Sequence, residues 1–125
     1  MKIIIVTIPA SVSHETILKE IIAINNTEDL VGNHKVGRNR PRQEDIEGLG
    51  FVHQGELKYV ADYLDTIEQP AGFTCSTTGK RWEKGHYIQF ENIRELEVKE
   101  KIKGFQGFRY MNMKKGIVDH GKKIC

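Results

Sequence analysis

The chain has 125 residues, 38% of them hydrophobic, which suits one domain with its own core and no need of a disulfide scaffold. Its 19 basic and 17 acidic side chains leave a net charge of only +2, excluding a polycation of the histone kind, so any affinity for nucleic acid has to come from local clustering. Two cysteines, Cys75 and Cys125, have no metal spacing and no disulfide pattern, which fits a reducing, cytoplasmic setting.

Lys2 precedes Ile3-Ile4-Ile5-Val6-Thr7-Ile8, a short β-branched run that reads as a buried strand and not as a secretion signal. No segment reaches the ~20 apolar residues needed to span a bilayer, so no membrane partner is expected. Pro9 and Ser11 break the chain. Ser13 then caps a helix with Glu15 in its first turn, and Ile17, Leu18, Ile21 and Ile22 fall on one face until Asn25-Asn26.

Residues 33–42 follow as a basic loop, with Lys35, Arg38, Arg40 and Arg42 as fixed cations and no acid between Leu30 and Gln43. Gly37 and Pro41 keep its backbone irregular, and guanidinium forks bind phosphate oxygens in pairs, so the loop is a candidate phosphate-facing rim. The competing reading is a solvated surface loop.

From Gly48 to Leu64 the odd positions Leu49, Phe51, Leu57, Tyr59, Ala61 and Tyr63 predict a hairpin with one buried face, turning at His53-Gln54-Gly55-Glu56. Residues 70–80 read as a loop, His86–Phe90 as a strand, Val98–Ile102 as another extended piece, and 104–110 as a corner feeding a final strand. The expected fold is α+β, a small open β-barrel with flanking helices. Residues 1–113 form the domain and 114–125 a basic tail.

No catalytic motif is complete in the chain. Thr77-Thr78-Gly79-Lys80 lacks the first glycine of a phosphate loop and has Arg81 where a magnesium-binding hydroxyl belongs. Gly48-Leu49-Gly50 lacks the third glycine of a dinucleotide site. The five histidines show no helical metal spacing, so neither a metal nor any other cofactor is expected.

All ten aromatic residues lie beyond position 50. Phe51, Tyr59, Tyr63 and Phe90 fit core positions at strand period, while Trp82 stands in a polar stretch beside Arg81, where a planar ring suits stacking on a base. The competing role for Trp82 is closing one end of the barrel.

The order of Val36-Gly37-Arg38-Asn39 with Arg40 and Arg42, then Gly50-Phe51-Val52-His53-Gln54-Gly55, then Lys58-Tyr59-Val60-Ala61-Asp62 resembles the EVE group of the PUA-like superfamily. Val52, Gln54 and a first strand without tryptophan depart from that pattern. The resemblance implies an open pseudo-barrel related to ASCH and YTH domains, which hold a nucleobase, often a modified one, in an aromatic pocket. It would set Arg38 and Asn39 at the rim and Phe51 and His53 beside the pocket.

The resulting expectation is a non-catalytic module for DNA or RNA, reading a modified base. Its rim would be Lys35, Arg38, Asn39, Arg40 and Arg42, and its pocket Phe51, His53, Trp82, Tyr87 and Gln106. Two alternatives stand beside it. One is an ASCH-like amidohydrolase of modified nucleosides using Thr16 with Lys19 or Glu56 with Lys58. The other is an interaction subunit or homodimer built on the helix stripe or an exposed sheet edge.

Overall fold

The computed structural model describes residues 2–26, 31–37, 46–75, 79–112 and 122–123. It is mostly β, with one helix among the described residues and a sheet curled into a half-barrel. The strands are β1 (Lys2–Ile8), β2 (Gly32–Gly37), β3 (Gly48–His53), β4 (Glu56–Gln69), β5 (Phe73–Thr74), β6 (Arg81–Trp82), β7 (Gly85–Lys101), β8 (Phe108–Asn112) and β9 (Lys122–Lys123). The helix α1 spans His14–Asn26. No helix is long and apolar enough to cross a membrane, among the described residues.

The main sheet runs β2-β7-β4-β3-β1-β8, with β9 pairing β7, and β5 and β6 form a separate two-stranded piece. Among the described residues every pairing is antiparallel except β1 with β3, which are parallel and joined by a crossover through α1 and β2. Ile3 to Val6 are all buried because β1 lies between two strands and is covered on both faces. Ser13 caps α1 as expected, its hydroxyl accepting the Thr16 amide at 3.1 Å.

Two apolar clusters occupy the two faces of the sheet. Ile4, Val6, Leu49, Phe51, Tyr59 and Phe90 share one with Ile17 and Ile21 of α1. Ile3, Ile5, Val52, Leu57, Val60 and Leu96 form the other, beside Ile102, Phe105 and Met111. The β3–β4 hairpin turns at Gln54-Gly55, both at positive φ. Its expected single buried face is corrected by a bulge: Phe51 pairs Tyr59 and Val52 pairs Leu57, so Lys58 is skipped. One extra residue inverts the alternation, which sends Leu57 to the face opposite Tyr59.

Two further expectations are revised. Residues 33–37 belong to an edge strand and not to a loop, and the two pieces expected at 86–90 and 98–102 are one strand, β7. β7 stays continuous by absorbing irregularities against β4, one of them at Asn92, whose φ is 52°. Ile93 lies in that irregular stretch, and α1 closes it there. Asn25 Nδ2 donates to the Ile93 carbonyl and the Ile93 amide donates to Asn25 Oδ1, both at 2.9 Å, so one carboxamide acts as a strand partner.

Candidate functional site

The curl of the sheet brings its two edges to one cleft of ≈ 430 Å³. From the β1–β8 edge come Thr7 and Pro9 with the loop Phe105-Gln106-Gly107, and from the opposite edge Asn33, His34 and Lys35 of β2, while Trp82 of β6 forms a further wall. The volume lies within the range of small-molecule pockets, about 300–1,000 Å³.

Each wall is held by local chemistry. Gly32 lets β2 lie against β7: a side-chain carbon there would stand 2.2 Å from Phe90 Cζ. Lys35, half-buried, runs past Gly85, and it has no ion-pair partner among the described residues. Asn33 accepts a long hydrogen bond from Gln89 Nε2 at 3.4 Å. His34 packs edge-to-face on Phe51 with ring centroids 6.2 Å apart, and burial pulls its imidazole down to about 4, so it is neutral at pH 7.

Trp82 is placed by a turn that needs glycine. Gly72 has φ +70°, and a side-chain carbon there would meet the Trp82 carbonyl at 2.2 Å. Phe73 pairs Trp82, Arg81 donates to the Ala71 carbonyl, and the Lys80 ammonium sits 4.3 Å from the centre of the Trp82 ring. Behind it, Tyr87 meets Trp82 at 6.4 Å and Phe73 at 4.9 Å, both edge-to-face. Across the cleft the Phe105 amide donates to Thr7 Oγ1 at 3.1 Å, and the Arg109 guanidinium covers the Phe105 ring at 4.4 Å.

The residues expected to form the site are therefore distributed unevenly. Lys35, Trp82 and Gln106 meet in the cleft. Tyr87 is fully buried behind Trp82, its hydroxyl donating to the Glu83 carbonyl, and burial together with Glu83 pushes that phenol up while Arg81 pulls it down. Phe51 lines a different, apolar cavity of ≈ 60 Å³ under α1, along with Ile17, Ile21 and Phe90. Glu20 stands at that cavity, where burial raises its carboxyl and Lys80 lowers it. His53 is fully buried, Nε2 donating to the Val12 carbonyl at 2.9 Å, and its Nδ1 has no hydrogen-bond partner among the described residues. Arg38, Asn39, Arg40 and Arg42 lie outside the described residues.

Nothing in the sequence marks Thr7, Asn33, His34 and Phe105 as pocket residues, because their meeting depends on the curl of the sheet. Asn33 and His34 stood in the basic stretch, which was their only signal. Of the residues considered for hydrolysis, Thr16 is tied to Ser13 at 2.8 Å and Lys19 to Glu15 at 3.5 Å, both on the exposed start of α1. No group of three or more His, Cys, Asp or Glu side chains could hold a metal ion, among the described residues. Comparison with protein-family models, curated proteins and solved structures finds no match to this chain.

Proposed function

We propose that this protein is a non-catalytic, PUA-like module that binds DNA or RNA by holding one unpaired base in the cleft between the two edges of its sheet. The observation that carries the reading is the cleft lining: two aromatic rings, Trp82 and Phe105, share it with the amides Asn33 and Gln106 and the cation Lys35. Rings supply stacking, worth roughly 1–3 kcal/mol per base, and amides supply edge contacts. That offsets the few kcal/mol needed to unstack a base. Lys35, with Lys80 and Lys84 exposed on the segment that carries Trp82, adds a sequence-independent attraction for phosphate.

Trp82 is the one tryptophan of the chain, so its fluorescence reports on this cleft alone. Titration with short single- and double-stranded oligonucleotides, with and without methylated bases and at two salt concentrations, is the test. Saturable quenching that weakens with salt supports the reading, and stronger quenching by one methylated oligonucleotide supports a modified base as the occupant. An unchanged spectrum with every oligonucleotide refutes it.

A further inference from the structure

Resting on the base-binding reading above, we propose that a single strand crosses the cleft from wall to wall, and that Arg109 holds a phosphate of that strand on the β8 side. The occupant is then a base inside a strand, with a phosphate before it and another after it, and not a free nucleoside or a strand end. The starting observation is that both aromatic rings of the cleft carry a cation. Lys80 stands 4.3 Å from the centre of the Trp82 ring on one wall, and the Arg109 guanidinium 4.4 Å from that of Phe105 on the other.

The two cations are not equally occupied. Lys80 also acts on the Glu20 carboxyl of α1. Arg109 is exposed, and among the described residues its side chain has neither a hydrogen bond nor an ion pair, only the Phe105 ring. A cation over a ring is held through its charge, so the five N–H donors of this guanidinium are unspent. Their fork is the arrangement that meets two phosphate oxygens at once. No nearby acid along the chain competes for it: the sequence has none between Glu100 and Asp119, and Lys103 is exposed on the same stretch. The Phe105 amide, bonded to Thr7 Oγ1 at 3.1 Å, ties the loop to β1 and so holds the ring at the cleft. On the β2 side Lys35 has no ion-pair partner among the described residues. A base between these walls therefore has a cation on each side of it. One would serve a strand end, whereas two on opposite walls match the phosphates that precede and follow an internal nucleotide.

The test uses a seven-residue DNA strand that is abasic except for one central base, so that the lone base fixes where the strand sits. Each of the four bases, plain and methylated, is tried, and the tightest strand is then made with the phosphate on either side of the base replaced by a neutral methylphosphonate. Trp82 fluorescence reads the binding. Either replacement is expected to weaken the wild type about tenfold. Arg109→Gln is expected to weaken binding of the unmodified strand about as much, to lower its salt slope by about 0.7, and to make one of the two replacements silent. Arg109→Lys, which keeps the charge without the fork, should fall between. Arg109 is exposed, and far-UV circular dichroism verifies that both variants are folded. An Arg109→Gln loss that is zero, or equal on all three strands, overturns the phosphate contact and leaves base binding standing. If no base-bearing strand binds more tightly than a fully abasic one, both readings fall.

Discussion

Asn25→Ala is the sharpest probe of how the helix is fastened to the sheet. Its carboxamide makes two hydrogen bonds of 2.9 Å to the Ile93 backbone, and Ile93 is only 3% exposed. Removing it deletes both bonds and strands a buried N–H and a buried C=O. At about 1 kcal/mol net per bond, and more where the orphaned group stays dry, the expected loss is about 2–4 kcal/mol. Asn26 supplies an internal control of the same residue type, because among the described residues its Nδ2 bonds only the Ile22 carbonyl of its own helix, and it is exposed. Asn26→Ala is expected to stay within ~0.5 kcal/mol of wild type. Urea unfolding separates the two: with a slope of ~1–3 kcal/mol/M, the Asn25→Ala midpoint falls by about 1–2 M while that of Asn26→Ala hardly moves. Hydrogen exchange at the Ile93 amide should accelerate in the first variant alone. Equal midpoints for the two variants would refute the view that this side chain stands in for a strand.

Gly32→Ala is expected to destabilise by about 1–3 kcal/mol, since the added carbon would lie 2.2 Å from Phe90 Cζ. Combining it with Phe90→Leu should cost less than the sum of the singles, and strict additivity in urea melts would count against the clash. His34 unfolds from a site that holds its imidazole down to about 4, below its ordinary 6.5, so the unfolded chain takes up the extra proton. Its contribution to stability is therefore complete above pH 6.5 and declines toward pH 4, and His34→Gln should flatten the stability-against-pH curve over that interval. Trp82→Ala is expected to weaken oligonucleotide binding about 5- to 150-fold, measured by anisotropy with a labelled strand. Lys35→Ala should instead lower affinity for all sequences and reduce the salt slope by about one. A Trp82→Ala variant that binds like wild type would remove the ring from the site.

Much of the scaffold was legible because its signals are local. The β-branched run of β1, the Ser13 cap with the isoleucine stripe of α1, and the Gln54-Gly55 turn each depend on neighbours within a few residues. The side assigned to Leu57 was not legible, since the bulge at Lys58 exists only against β3. Nor was β2: six residues rich in glycine and polar groups pair as an edge strand only because Gly32 accommodates Phe90. The site follows the same division. Trp82 stood out in the sequence by its polar surroundings, and Gln106 by the glycines around it. Thr7 and Asn33 meet them only through the curl of the sheet, Phe51 takes the core position that its strand period predicts, and His53 is held inward by its bond to the Val12 carbonyl, a partner 41 residues away.

The parallel pairing of β1 with β3 also bears on how the chain reaches its native state. β1 has no partner among its sequence neighbours: it waits for β3 on one side and, on the other, for β8, where Lys2 comes to face Asn112. Closing such distant pairs is slow, in the millisecond-to-second range for β-rich topologies. Until both arrive, Ile3-Ile4-Ile5-Val6 is an uncharged, β-branched segment with two open edges, the composition that templates cross-β assembly. Losses during refolding are thus expected to begin at this strand, and to rise steeply with protein concentration.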